Sequence, residues 1–213
     1  MAARDYGQFS GITRAMELVG ERWALLIVRD LLVGPRRYGE LAASLPRIPS
    51  NILATRLKEL QEAGVLRRAP RSRVIVYELT PFGRELEPVV LALGAWGLRA
   101  MGEARDEQAI SADSMTIDLR TAFRPDAAAA LPPTAYAARL AAADLLIRVD
   151  GRSLDVRPGS GPADLVFATD ATIHRLIAGD VDPARALERG LVRVVDGDER
   201  LLERFATTFH LAA

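Results

Sequence analysis

The apolar positions in the first half of the chain recur at the spacing of amphipathic helices. Ser10 precedes a segment in which the apolar residues from Ile12 to Val19 share one helical face. A small polar residue at that place is typical of a helix N-cap. The next segment, residues 21–34, is apolar around most of its circumference, which predicts a buried central helix.

Two shorter helices follow, joined by a tight connection that contains proline. Residues 36–46 form a short amphipathic segment, and RIPS is a turn. Ser50 is then predicted to cap a helix in which Leu53, Leu57 and Leu60 share a face. Two short helices with such a connection are typical of a helix-turn-helix.

A predicted hairpin comes directly after these helices. The β-branched runs VLRR and VIVYELT are separated by APRSR, so the hairpin has a basic tip. Thr80 and Pro81 begin a further helix, in which Pro88 predicts a kink. The order of elements predicts a winged helix-turn-helix over residues 1–101.

The pattern changes in the second half of the chain. Residues 102–114 are polar and predict a linker, and AAAALPP predicts a loop or a short helix. Beyond them, AYAARL, DLLIRVDG, RSLDVRPG, ADLVFATD and LVRVVDG predict short strands. ATIHRLIAG, DPARALERG and DERLLERFATTFHL predict helices. The predicted fold class is therefore α+β, a winged helix-turn-helix followed by an α+β domain over residues 115–213.

Charge is divided unevenly between the two halves. Residues 1–105 carry 16 Arg or Lys against 11 Asp or Glu, a net of +5, whereas residues 106–213 carry 12 against 17, a net of −5. Between Arg36 and Arg73 there are nine Arg or Lys and three acidic residues. Because phosphate contacts supply much of the affinity for duplex DNA, this cluster on a helix-helix-hairpin framework predicts DNA binding.

The candidate DNA contacts lie on the two predicted helices and on the hairpin. In a helix-turn-helix the second helix enters the major groove, where Asn can pair with adenine and Arg with guanine. The hairpin tip would reach the backbone or the minor groove. The candidates are Arg36, Arg37, Ser50, Asn51, Thr55, Arg56, Lys58, Arg71, Ser72 and Arg73.

Catalytic and metal sites have little support in the sequence. The chain has no cysteine, and its two histidines, His174 and His210, are isolated from any catalytic or metal-binding motif. We therefore expect no enzyme activity, no catalytic residue, no cofactor and no metal. The chain also has no apolar run near the length of a membrane span and no signal peptide pattern, so we expect a cytoplasmic protein.

Residues 11–101 resemble the HxlR family of winged-helix regulators. The segments that carry the resemblance are GITRAMELVGERWALLIVRDLL, RRYGELAASLPRIPSNILATRLKELQEAGVLRR and VIVYELTPFGRELEPVVLALGAWG. The resemblance implies a homodimer that binds a double-stranded DNA operator. In the family, the N-terminal helix and the helix after the wing form the dimer contact. The corresponding residues here are Ile12, Met16, Val89, Leu93 and Trp96.

The chain departs from this family at one position. Many members carry a cysteine just before the first helix and use it to sense oxidants or electrophiles. Here Ser10 occupies that position, and a hydroxyl cannot act as a thiolate sensor. The signal that controls DNA binding is therefore expected to come from another part of the chain.

Residues 115–211 are similar to the sterol-carrier-protein-2-like fold. The similarity rests on DLLIRVDGRSLDVRPGSGPADLVFATD and ALERGLVRVVDGDERLLERFATTF. It implies a tunnel for an apolar small-molecule effector, for which the lining candidates are Phe123, Phe167, Leu176, Leu202, Phe205 and Phe209. Three alternatives stay open: these residues form only a core, the domain serves dimerisation, or the protein is a lipid carrier or protein-interaction module that does not bind DNA.

Overall fold

The computed structural model describes residues 5–102, 105, 108, 110–141 and 143–211. The chain forms two compact units, Met1–Val90 and Leu91–Ala213. In the described ranges, no helix has both the length and the apolar character needed to cross a bilayer.

The first unit contains helices and one hairpin. Its elements are α1 (Gly11–Val19), α2 (Ala24–Val33), α3 (Tyr38–Ser44), α4 (Ser50–Glu62), β1 (Leu66–Arg71), β2 (Val74–Leu79) and α5 (Pro81–Arg84). Helix α6 (Glu87–Arg99) begins in this unit and continues into the second. The order matches the predicted winged helix-turn-helix, with β1 and β2 as the wing.

The predicted N-cap and the buried stripes of this unit are confirmed. The Ser10 Oγ accepts a hydrogen bond from the Thr13 amide at 3.1 Å, so it caps α1. Helix α2 is central, since Ile27, Val28 and Leu31 are fully buried. The leucines that share a face of α4 are also buried, which leaves the opposite face of that helix to solvent.

Three local predictions in this unit were wrong. Ser50 is the first residue of α4 rather than its cap, because the helix begins after Pro49. The hairpin turn is only Ser72–Arg73, because Ala69, Pro70 and Arg71 pair with β2 as part of β1. The segment after the wing is not one kinked helix. It breaks between α5 and α6, so that Pro88 lies in the first turn of α6, where its missing N–H costs no hydrogen bond.

A close backbone approach fixes the base of the wing. The Thr80 amide donates to the Val65 carbonyl at 3.0 Å, and its hydroxyl caps α5 by accepting from the Gly83 amide. A Cβ placed on Gly83 would lie 1.9 Å from the Val65 oxygen. Only glycine lets α5 lie this close to the start of β1.

The second unit is a five-stranded sheet with helices. Its remaining elements are α7 (Ala112–Ala122), α8 (Pro125–Ala129), β3 (Thr134–Arg139), β4 (Asp144–Asp150), β5 (Ser153–Pro158), β6 (Leu165–Thr169), α9 (Thr172–Ala178), α10 (Pro183–Glu188), β7 (Val192–Gly197) and α11 (Arg200–Thr208). The strand order is β5-β4-β3-β6-β7, with β3 and β6 parallel and the other neighbours antiparallel. This mixed α and β architecture, with all five predicted strands present, agrees with the expected class.

The start of the second unit differs from the prediction. The last three residues of the predicted linker 102–114 lie in α7, which Ser111 caps by accepting from the Ser114 amide at 3.0 Å. Several other residues of that predicted linker lie outside the described ones. The expected boundary was at residue 101, whereas Leu98 of α6 already belongs to the core of the second unit. The resemblance to sterol-carrier-like domains stays a prediction.

Candidate nucleic-acid interface

The exposed face of α4 carries short polar residues at its N-terminal end. Ser50 and Asn51 are exposed, and Lys58, two turns further on, has a side chain that is 75% exposed. The Lys58 Nζ lies 3.7 Å from a Glu62 carboxylate oxygen, a loose contact between two exposed groups. Thr55 is half-buried, and its hydroxyl donates to the Asn51 carbonyl at 2.8 Å. The face can therefore present an amide, a hydroxyl and an ammonium to a groove.

Arg56 has a different environment from these residues. Its side chain is only 12% exposed, and it pairs with Glu59 on the same helix and with Glu21 at 2.6 Å. Its Nε donates to the Arg22 carbonyl at 3.2 Å. The guanidinium therefore joins α4 to the connection between α1 and α2.

A buried carboxylate joins the central helix to the first helix of the motif. Asp30 on α2 is fully buried, and the Ser44 hydroxyl of α3 donates to it at 2.5 Å. The Arg29 guanidinium pairs with its other oxygen at 2.7 Å. The Tyr38 hydroxyl, also on α3, donates to the Ser50 carbonyl at 2.8 Å. The orientation of α3 and α4 is thus set by polar contacts as well as by leucines.

The sequence analysis included Asp30 in the predicted central helix over residues 21–34 but gave it no role. The signal was present, because a carboxylate in the middle of an otherwise apolar helix must find partners when the helix is buried.

The wing holds two of its arginines through a carboxylate on the opposite strand. Glu78 on β2 accepts from Arg67 at 2.8 Å and from Arg71 at 3.1 Å. Hydrogen bonds from these guanidinium groups, that of Arg67 first, hold the pKa of the Glu78 carboxyl below its ordinary value. Arg71 is thus held by Glu78 while its side chain remains 61% exposed.

The backbone just before α3 also pairs with the wing, on the β2 side. The backbone of Arg36 exchanges hydrogen bonds with Tyr77 on β2, with the Arg36 amide 3.0 Å from the Tyr77 carbonyl. Arg37 beside it is exposed, and its amide donates to the Glu40 carboxylate at 2.6 Å, which caps α3. Arg36 is therefore paired with the wing, and Arg37 lies at the start of the first helix of the helix-turn-helix.

The tip of the wing carries an exposed arginine at a two-residue turn. Ser72 has a φ of 56°, in the left-handed region, which allows the two-residue turn between the strands. Arg73 is exposed and, among the described residues, its side chain has no hydrogen-bond or ion-pair partner. Its guanidinium can reach a phosphate without breaking an internal contact.

A cavity beside the start of α4 contains Arg22 and Arg47, which the sequence analysis did not name among the candidate DNA contacts. It has a volume of about 340 Å³ and is lined by Arg22, Trp23, Arg47, Pro49, Ile52 and Arg56. The Arg22 guanidinium lies over the Trp23 ring, 5.0 Å from its centroid. Trp23 has a φ of 79°, a strained backbone for a bulky residue. In the sequence, the segment GERW signals this cavity only by placing the cation Arg22 next to the aromatic residue Trp23.

The six candidate ligand residues of the second unit lie in or against its core. Phe167, Phe205 and Phe209 are fully buried, with ring centroids 5.3 Å apart in the first pair and 4.7 Å apart in the second. Leu176 and Leu202 are buried beside them, and the half-buried ring of Phe123 lies 5.8 Å from that of Phe209. Their role as ligand contacts stays a prediction.

Comparison with known proteins gives a family match for the part of the chain that contains the helix-turn-helix and the wing. The sequence model of the HxlR-like helix-turn-helix family matches residues 18–105. An uncharacterized HTH-type transcriptional regulator of Mycobacterium tuberculosis, Rv3095, is 44% identical over 103 residues, which cover 46% of this chain. The chain spans 65% of that relative's length. The family match covers the wing and helix α6 and ends shortly after that helix.

The match covers a larger share of two other, shorter relatives. The HTH-type transcriptional regulator YvaP of Bacillus subtilis is 38% identical over 86 residues, or 39% of this chain and 80% of the relative. The crystal structure of an HTH-type transcriptional regulator, ytcD, has 33% identity and a TM-score of 0.41, and the match covers 43% of this chain and 97% of that one.

Proposed function

Since this chain belongs to the family of HxlR-like helix-turn-helix transcriptional regulators, we propose that it is a sequence-specific, dimeric DNA-binding regulator. Its relatives are named HTH-type transcriptional regulators, which supports a DNA-binding role for the first unit. Our proposal extends this role in three ways: it names the residues that contact the operator, it assigns a dimer, and it assigns a response to a small molecule.

One observation carries the proposal for DNA. Helix α4 buries its leucines and leaves Ser50, Asn51 and Lys58 exposed, while the basic wing tip in the same unit leaves Arg73 accessible. A helix with small polar groups at its N-terminal end suits the major groove, and an exposed arginine on a wing suits a phosphate or the minor groove.

The proposed contact set follows from this placement and modifies the sequence prediction. Arg56 is left out, because its guanidinium is engaged with Glu21 and Glu59 inside the unit. Arg22 and Arg47 are added, because they line the cavity beside the start of α4 together with an aromatic wall. We assign these two arginines to a backbone phosphate next to the reading helix. The retained candidates are Arg36, Arg37, Ser50, Asn51, Thr55, Lys58, Arg71, Ser72 and Arg73.

The salt dependence of operator binding tests this set. DNA from the promoter next to the protein's own gene is titrated at several salt concentrations with wild type, Arg73→Ala and Arg22→Ala. Each lost phosphate contact should reduce the slope of log K against log salt by about 0.9 and weaken binding to all sequences alike. Asn51→Ala should instead lower the preference for the operator over unrelated DNA.

The matched control is Arg14→Ala. Arg14 is an exposed arginine of the same unit, but it lies on α1 and pairs with Glu17 at 3.0 Å. Its substitution should leave the salt slope unchanged. An unchanged slope in both Arg73→Ala and Arg22→Ala would refute the proposed surface, and a wild type that shows no preference for any promoter DNA would refute the proposed function.

The dimer is proposed from apolar side chains that remain exposed. On α6, Val89, Leu93 and Trp96 recur at helical spacing with exposures of 48%, 46% and 71%. On α1, Ile12 and Met16 are exposed to 79% and 45%. Apolar side chains clustered on helices in this way are typical of a surface that another protein covers.

The second unit is proposed as the part that responds to a small molecule. An apolar effector, as expected from the sequence, would have to enter among the aromatic side chains around Phe205, which now contact one another. A lipid carrier or protein-interaction module without DNA binding is the competing function. It would be favoured if operator binding were absent while a fatty acid bound.

A further inference from the structure

A polar cleft in the second unit has the size of a small-molecule site. Its volume is about 440 Å³, within the range of ligand sites in proteins. Arg124, Glu203 and His210 give it charged and polar walls, and Ala184 and Ala206 give it a small apolar surface. The predicted apolar ligand residues do not line this cleft.

Helix α11 serves two purposes at this place. Leu202 and Phe205 on one side belong to the closed core of the unit. Glu203, Ala206 and Thr207 line the cleft on another side of the helix, and His210 lines it just after the helix ends. A helix with a buried stripe and a separate polar stripe can form a site on its outer face without loss of core contacts.

Backbone hydrogen bonds fix two of the polar groups at the cleft. The Arg124 amide donates to the Thr208 carbonyl at 2.9 Å, and the His210 amide donates to the Ala122 carbonyl at 2.8 Å. The segment after α7 and the end of α11 are thus paired directly above the core. Arg124 and His210 are therefore held in place at the rim of the cleft rather than on a free loop.

Gly179, which follows α9, makes room for the imidazole of His210. A Cβ at Gly179 would lie 2.5 Å from the His210 Nε2, and its φ of 81° also favours glycine. The Nδ1 of His210 is buried and has no hydrogen-bond partner within the described part of the chain. A buried ring nitrogen without a partner is costly, so His210, which lines the cleft, carries an unmet hydrogen-bonding group.

The charged side chains that line the cleft are Arg124, Asp182 and Glu203, and no ion pair joins them to one another in the described ranges. Asp182 caps α10 by accepting from the Arg185 amide at 2.9 Å. Arg124 and Glu203 have opposite charges, yet in the described ranges their side chains form no ion pair with each other or with another residue. A cation and an anion that line one cleft without pairing can be bridged by a molecule that carries both charges.

We infer that this cleft binds a free α-amino acid. Its carboxylate would accept from the Arg124 guanidinium, whose planar fork suits a carboxylate, and its ammonium would donate to Glu203. Its side chain would lie against Ala184 and Ala206. The inference goes beyond the apolar effector expected from the sequence, and it does not depend on whether the first unit binds DNA.

The test is calorimetric titration of the full chain with the common L-α-amino acids, one at a time, with oleate as an apolar comparison. The amino acid that binds best is then compared with its N-acetyl derivative and its amide, which each lack one charge. Loss of either charge should weaken binding about ten-fold or more, because each removes a charge-assisted hydrogen bond. Arg124→Ala and Glu203→Gln should have similar effects.

Two further variants make the result decisive. Ala184→Trp changes an exposed residue and fills the cleft, so it should abolish binding while circular dichroism stays unchanged. Arg193→Ala removes an exposed arginine of β7 that does not line the cleft, so it should bind like wild type. The proposal is overturned if no amino acid binds, if a blocked derivative binds equally well, or if Arg124→Ala retains full affinity. Binding of oleate alone, unaffected by these variants, would also overturn it.

Discussion

At the scale of single residues, Tyr136 shows how burial changes a side chain's chemistry. It lies on β3 with no exposed surface, and its ring is in edge contact with Phe205 at a centroid distance of 5.3 Å. Burial raises the pKa of the Tyr136 hydroxyl to about 12, because a phenolate would lose its hydration, and the nearby charge of Arg204 opposes this only in part. The neutral hydroxyl is therefore the form that the folded protein favours.

This shift predicts an alkaline limit to the stability of the second unit. Because the pKa of Tyr136 is higher in the folded state than its ordinary value of 10.0, its contribution is fully present below about pH 10 and is lost as the pH rises toward 12. A spectrophotometric titration of tyrosinate should show a late step near pH 12 that is absent in Tyr136→Phe. If the variant keeps that step, another tyrosine is responsible.

Two charged residues show what a residue-scale reading of the sequence could and could not give. Asp30 was identifiable as unusual from its apolar neighbours alone, but its partner Ser44 lies on another helix. Arg56 looked like a DNA contact because it lies off the leucine stripe of α4. Only the fold shows that Glu21, from the connection before α2, takes up its charge.

At the scale of elements, the wing depends on charge pairing across its two strands. Arg67 lies directly opposite Glu78 in the register of the hairpin, and Arg71 reaches the same carboxylate from the end of β1. Opposite charges at facing positions stabilise a hairpin, and this one has only two long strands. One carboxylate thereby holds two cations of the wing, of which Arg71 belongs to the proposed DNA contacts.

The wing should therefore loosen in acid. Since the pKa of Glu78 is lowered in the folded state, its contribution is present above its ordinary value of 4.5 and is lost as the pH falls through the lower folded value. Amide hydrogen exchange in β1 and β2 should show less protection in Glu78→Gln than in wild type at neutral pH, and the difference should vanish in strong acid.

The control for this prediction is Glu62→Gln, which neutralises an exposed glutamate whose contact with Lys58 is loose. Its hairpin protection should equal that of wild type. Equal protection in wild type and Glu78→Gln at neutral pH would show that the strands do not need the ion pairs.

Element boundaries followed local signals where these were strong. Ser10 marked the start of α1, and the turns with Asp-Gly and Pro-Gly separated the strands of the second sheet. Helix α7 was missed, because its cap at Ser111 lay in a polar stretch and its buried Met115 and Leu119 follow only after a polar first turn. Ser50 was misplaced by one residue, because Pro49 already has the extended conformation that ends the preceding turn.

At the scale of the whole molecule, the proposed assembly depends on apolar side chains that one copy of the chain leaves uncovered. Trp96 is 71% exposed on α6, and Ile12 is 79% exposed on α1. Water contact with such residues is unfavourable at about 25 cal/mol per Å² of apolar surface, so a second copy that covers them would gain affinity.

Sedimentation equilibrium tests the dimer. Wild type should sediment as a dimer, and the double substitution Leu93→Glu with Trp96→Glu should sediment as a monomer, because it would place charges in an apolar contact. Phe82→Glu changes an equally apolar residue, 50% exposed on α5, and should remain dimeric. A dimer that survives the double substitution would exclude α6 as the contact.

The sequence by itself determined the helix-turn-helix, the wing and the class of the second unit, because periodicity, turn residues and local charge are short-range properties of the chain. The family followed from the resemblance carried by residues 11–101. The tertiary structure decided which arginines of the first unit are exposed to a DNA partner and which are engaged in internal ion pairs. It engages Arg56, holds Arg71 through Glu78, leaves Arg73 exposed and brings Arg22 beside Arg47. These outcomes depend on partners far away in sequence, and the closed aromatic core and the separate polar cleft of the second unit have the same origin.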